Sequence, residues 1–208
     1  MTRKIFLIPV LFISFLAVFP ASSNARSEAG MKITGEGVSE GVRGFYIAIG
    51  DYFHVPEREI IIIRERRVRD EEIPVVFFLA QRASVSHNTI IKMRLSGMTW
   101  LEISLHYGLS PEIFYVPVRV IKGPPYGRAY GYYRNKPRSA WKAIMLNDAE
   151  IIDLVNLRFI SEYYGYPAEE VIRLRSGGDN FIVINNKVKK IKRAKVPEGV
   201  KGRGKGKR

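Results

Sequence analysis

Three segments of the chain, beginning at Gly50, Ala80 and Ser161, align with one another without a gap, and a repeat of this length decides architecture before any single residue does. Val55, Val85 and Tyr166 share one position, followed by Pro56, Ser86 and Pro167. Ile60, Ile90 and Val171 come next, then Ile61, Ile91 and Ile172. Ile63, Met93 and Leu174 match, as do Arg64, Arg94 and Arg175, and finally Ile73, Ile103 and Ile184. A shorter echo starts at His106. Each unit opens on Pro or Ser, residues suited to the N-cap or first position of a helix, and places its apolar pair one turn inside. Ser96-Gly97, Gly108 and Gly177-Gly178 then supply stops. The pattern predicts an all-α domain of short helices in repeated hairpins, each hiding one apolar face against its neighbours.

The segments between the units complete the domain, which is expected to span residues 42–186. Val42, Phe45, Tyr46, Ile49 and Phe53 recur at helical spacing, after a Gly-rich stretch over 26–41 that reads as a flexible lead-in. Residues 123–138 hold so much Gly and Pro that an ordered surface loop is expected, with its tyrosines packed on the domain. Asn147-Asp148-Ala149-Glu150 has the form of a capping box ahead of a dense apolar run from Ile151 to Ile160. Over 180–186 the repeat favours a helix, while the β-branched content favours one short strand near 181–185, and both readings stand at this level.

Both termini carry a distinct composition. Arg3 and Lys4 precede an uncharged stretch from Ile5 to Phe19, and Ser23 and Ala25 are the small residues a signal peptidase requires, so residues 1–25 read as a cleavable secretory signal and the product as periplasmic or secreted. The apolar stretch is shorter than the roughly 20 residues of a membrane span. With no cysteine in the chain, disulfides, zinc-thiolate sites and thiol nucleophiles are excluded, and the fold must rest on its core. The formal net charge is +14, but +10 of it lies in residues 187–208 and only +2 in residues 26–186. The basicity therefore belongs to a tail, expected to be disordered and separable from the domain by a cut after Asn186. Its cations are Lys187, Lys189, Lys190, Lys192, Arg193, Lys195, Lys201, Arg203, Lys205, Lys207 and Arg208. They form a candidate electrostatic tether to anionic lipid, lipopolysaccharide or another polyanion.

Motifs for chemistry are sparse. His54, His87 and His106 do not share a spacing that brings two imidazoles to one metal, and neither a nucleophile elbow nor a phosphate-cradling Gly loop is present. No catalytic residue, metal or small-molecule cofactor is expected. Glu71-Glu72 and Glu169-Glu170 fall where first-turn carboxylates favour the helix dipole. The recurring Arg64, Arg94 and Arg175 fall in last helical turns, where a guanidinium is expected to bond terminal carbonyls or a neighbouring Glu.

The repeat units resemble helix-turn-helix modules, most visibly from Glu102 to Ile113, with Gly108 in the turn and Ser110 opening the second helix. That resemblance implies a nucleic-acid-binding protein using the hairpins and the tail. The second helix, Ser110 to Pro117, is acidic and apolar where a reader of base edges needs Arg, Lys, Asn or Gln. Taken whole, the chain resembles uncharacterised exported proteins of Gram-negative bacteria that carry the stretches at Asp70–Gln81, Ser96–Pro117 and Gly123–Tyr133. This likeness implies export and carries no activity. The reading from sequence is a non-enzymatic binding or scaffold protein that meets an envelope protein partner, with nucleic-acid binding as the alternative.

Overall fold

The computed structural model describes residues 33–34, 38–119 and 123–194, and the expected signal over residues 1–25 lies outside them. Among the described residues the chain is all-α, with one two-stranded antiparallel ribbon, β1 (Ile33–Thr34) and β2 (Val38–Ser39), at its start. The helices are α1 (Glu40–Phe53), α2 (Glu57–Glu65), α3 (Ile73–Ala83), α4 (His87–Leu95) and α5 (Trp100–His106), then α6 (Gly127–Arg134), α7 (Asp148–Tyr164), α8 (Ala168–Ser176) and α9 (Phe181–Ala194). Ordered structure thus reaches into the stretch read as a flexible lead-in to residue 41, because the Ser39 hydroxyl accepts the Val42 N–H and starts α1 at Glu40.

The sequence repeat is a repeat of corners. α1, α3 and α7 each end on a left-handed residue at the same repeat position, His54 (φ 58°), Ser84 (φ 55°) and Gly165 (φ 54°). One residue later the Val55, Val85 and Tyr166 amides donate to the Gly50, Ala80 and Ser161 carbonyls at 3.0, 3.0 and 2.9 Å. This bond, with the left-handed residue before it, closes the preceding helix and turns the chain. Pro56, Ser86 and Pro167 then open α2, α4 and α8. A second left-handed position recurs after these short helices, at Arg67, Gly97 and Gly178.

α7 is the central element. Every residue from Glu150 to Leu157 is buried, and α7 packs on α1, α3, α5, α8 and α9. α3 contributes a continuous buried run from Ile73 to Ala80 against it, as the density of apolar residues there requires. Phe45, Tyr52, Phe53 and Phe159 form an aromatic cluster between α1 and α7, and Trp100 is fully buried at the start of α5.

Three sequence expectations are corrected, and the open choice at 181–185 falls to the helix. The Gly/Pro/Tyr-rich loop expected over 123–138 contains helix α6, because Pro124 and Pro125 precede the helix rather than interrupt it, and Tyr126, Tyr130 and Tyr133 make a buried stripe at helical spacing. Gly127 and Gly131 cost about 1 kcal/mol each relative to Ala, less than the burial of large side chains at about 1.5–3 kcal/mol each. The tyrosines do pack on the domain as expected, with the Tyr130 hydroxyl donating to the Val116 carbonyl and the Tyr133 hydroxyl to the Pro111 carbonyl, both at 2.7 Å. The candidate strand at 181–185 is helical, since Phe181, Ile184 and Val188 bury one face of α9 and packing overrides β propensity. The same stripe carries helix through 187–194 of the segment read as disordered, so a cut after Asn186 would sever α9 before its buried Val188. The partner helix expected after Ser110 is a single 3-10 turn, Pro111–Phe114, because Pro117 excludes helical backbone at the residue before it.

Candidate functional site

α9 carries five of the eleven cations identified from sequence. Its N-terminus is fixed from outside, by a 2.7 Å bond from the Phe181 amide to the Glu71 carboxylate and by the Asn180 side chain accepting the Val183 amide. Its middle lies close against α1, where the Asn186 side chain donates to the Gly41 carbonyl at 3.2 Å. A Cβ on Gly41 would stand 2.9 Å from that side-chain nitrogen, so glycine permits the approach. Lys187 bonds Asp179 at 2.6 Å and Lys189 is half-buried, while Lys190 is exposed. Beyond Val188 the helix leaves the core: Ile191 is half-buried, and Lys192, Arg193 and Ala194 are exposed. Arg193 lies near Tyr164, whose hydroxyl burial pushes up to about 12, against the opposing effects of Arg193 and of its bond to Asn185. The structure therefore brings Lys187, Lys189, Lys190, Lys192 and Arg193 together on one helix that contains no acid. Lys195, Lys201, Arg203, Lys205, Lys207 and Arg208 lie outside the described residues.

A second feature is an open groove of about 700 Å³ between α6 and the N-terminal turn of α7, lined in part by Pro124, Pro125, Gly127, Ala149, Glu150 and Asp153. The capping box read from sequence is present: the Glu150 amide donates to the Asn147 side chain at 2.9 Å, and the Asn147 amide to Glu150 Oε2 at 2.8 Å. Glu150 and Asp153 are each only 5% exposed. Burial raises the Asp153 carboxyl above its ordinary range, opposed by Arg175, whose Nε donates to it at 3.0 Å.

The arginine row joins neither feature as a line of ligands. Arg94 donates to the Met98 carbonyl (3.1 Å), Glu72 (2.7 Å) and Asp148 (2.6 Å), and its guanidinium lies 4.5 Å from the centre of the Trp100 ring. Arg175 repeats the plan, donating to the Asp179 carbonyl at 3.2 Å and standing 4.8 Å from the Phe181 ring centre. Both use turn carbonyls and acids as expected, whereas Arg64 reaches only Asp70, at 3.8 Å. Glu72 is deeply buried rather than displayed in a first turn. Burial alone would raise its carboxyl, but the Arg69 and Arg94 hydrogen bonds and charges outweigh that and hold it below the ordinary value. Sequence reasoning missed the burial of Glu72, Glu150 and Asp153.

Among the described residues no group of three or more His, Asp or Glu side chains is placed to hold a metal, and no helix is long and apolar enough to cross a membrane. No protein-family model, curated protein or solved structure matches the chain.

Proposed function

We propose that this is an exported, non-enzymatic binding module that attaches to anionic lipid headgroups through the projecting end of α9 and the basic segment that follows it. The observation that carries the reading is that α9 spends its apolar stripe, Phe181, Ile184 and Val188, on the domain. It then presents Lys190, Lys192 and Arg193 to solvent with no acid on the helix, immediately before six further cations in the sequence. With the stripe already buried, attachment is electrostatic and the helix does not insert. Each cation near an anionic surface contributes about 1 kcal/mol, and the attraction is screened by salt over about 8–10 Å.

The test is co-sedimentation of the full chain with phosphatidylglycerol-containing vesicles and with phosphatidylcholine vesicles. Binding is expected only to the anionic ones and is expected to weaken steeply as salt rises to physiological strength. Ending the chain after Ala194 should weaken it, and adding Lys190→Glu and Arg193→Glu should abolish it. Equal binding to both vesicle types, indifference to salt, or capture by duplex DNA without vesicle binding overturns the reading. Export predicts an N-terminus near Arg26 in mass spectra of the cellular protein, and an intact Met1 in the cytosol contradicts it.

A further inference from the structure

The groove between α6 and α7 contains an acceptor that the protein leaves unserved. Glu150 Oε2 is occupied by the Asn147 amide, but Oε1 is buried and receives no hydrogen bond. Arg128 forms a loose ion pair with it, with its Nε 3.4 Å from Oε1. That Nε has one hydrogen, and it is donated to the Tyr132 hydroxyl at 2.9 Å. The Arg128 side chain is also 68% exposed, so water screens the pairing from one side. One turn along α7, the Asp153 carboxylate lines the same groove and has its donor from Arg175. A carboxylate 5% exposed, without a donor on one oxygen, at the floor of a groove of about 700 Å³ is a place made for an incoming N–H. The space lies within the range of small-ligand sites, about 300–1,000 Å³.

We propose that this groove binds a small organic cation, whose ammonium group donates to Glu150 Oε1 with the Asp153 carboxylate beside it. Any donor to this carboxylate makes a charge-assisted bond, and a charged donor in addition balances the buried negative charge. Two carboxylates, Glu150 and Asp153, and two guanidinium side chains, Arg128 and Arg134, line the groove, and Glu71 and Glu150 both act on Asp153 as neighbouring negative charges against the opposing Arg175. Pro124, Pro125 and Gly127 offer apolar surface for the alkyl part of such a ligand.

The experiment is calorimetric titration of the full chain with 1,4-diaminobutane, and in parallel with 1,4-butanediol, which has the same skeleton with hydroxyls in place of amines. Saturable binding of the diamine is expected, with none of the diol. Glu150→Gln should weaken it at least about tenfold, while Gln at this position still completes the capping box. Ala149→Phe, which changes an exposed residue and fills the groove, should weaken it as much, so the test survives if Glu150→Gln impairs folding. Absence of saturable binding up to about 50 mM diamine, equal affinity in both variants, or equal binding of the diol overturns the proposal. Vesicle attachment through α9 is a separate readout that neither variant should change.

Discussion

Replacing Arg94 by Met, beside the same change at Arg64, separates a buried ion pair from an exposed one within one molecule, because the repeat places an arginine at the same helical position three times. Arg94 is 20% exposed and its partner Glu72 is 6% exposed at the side chain, with contacts of 2.7 Å to Glu72 and 2.6 Å to Asp148. Met fills the space of the stem but leaves Glu72 a buried carboxylate served only by Arg69 and by the Trp100 indole N–H at 3.3 Å. Removing one member of such a pair costs about 3–5 kcal/mol when the other charge is left uncompensated, and because Arg69 stays beside Glu72 the lower end of that range is expected. Arg64 occupies the equivalent position but is 42% exposed and stands 3.8 Å from Asp70, so Arg64→Met should cost no more than about 1 kcal/mol. The assay is equilibrium urea unfolding followed by circular dichroism. Adding Glu72→Gln to Arg94→Met removes the buried charge that Arg94 had balanced and leaves only the exposed Arg69 without its acid, so the double variant is expected to be more stable than Arg94→Met alone. The reasoning fails if Arg64→Met and Arg94→Met cost the same, or if Glu72→Gln makes Arg94→Met worse.

The left-handed corners should respond in opposite directions to exchange: Ser84→Gly is expected to raise stability by about 0.5–1 kcal/mol, and Gly165→Ser to lower it by a similar amount, both read as unfolding midpoints. A Cβ at Gly165 meets nothing closer than the Lys192 ammonium at 4.0 Å, so the cost there is conformational rather than steric. Tyr133→Phe should lose about 1 kcal/mol with the bond to the Pro111 carbonyl, and Tyr133→Ala about 3–5 kcal/mol by opening the cluster with Tyr115 and Trp141. Glu72 lies below its ordinary value in the folded state, so its contribution is complete above the unfolded carboxylate pKa and is lost as pH falls through the folded one. The stability gap between wild type and Arg94→Met should therefore narrow on acidification, and a gap that widens would contradict the assignment.

The openings of the corners were legible in the sequence because they depend on short-range chemistry, Pro56, Ser86 and Pro167 opening helices, whereas the left-handed closing position, held by His54 and Ser84 as well as Gly165, carries no common residue signal. The capping box at Asn147–Glu150 and the carbonyl contacts of Arg94 and Arg175 are equally local. α6 was not legible, since the Gly and Pro content that argues against a helix is offset only by where Tyr126, Tyr130 and Tyr133 land in three dimensions. The extension of α9 into the basic segment depends in the same way on Val188 reaching the core. Burial of a capping carboxylate is hidden for a related reason. Glu102 and Glu150 make the same box, and only packing decides that Glu102 faces solvent while Glu150 Oε1 faces a groove.

Charge placement follows from how the domain uses its acids. Glu72 and Asp148 are held by Arg94, Asp153 by Arg175, Glu170 by Arg173 and Glu162 by Arg158, so much of the near-neutral balance of residues 26–186 is consumed in internal pairs. On α9 only Lys187 is met in this way, by Asp179, and that acid sits at the start of the helix. Lys190, Lys192 and Arg193 fall where the helix has passed its last fully buried residue, Val188, out of reach of the carboxylates committed inside. The separation of charge read along the sequence is thus also a separation in space, and it gives the end of α9 a positive field that the rest of the domain does not cancel.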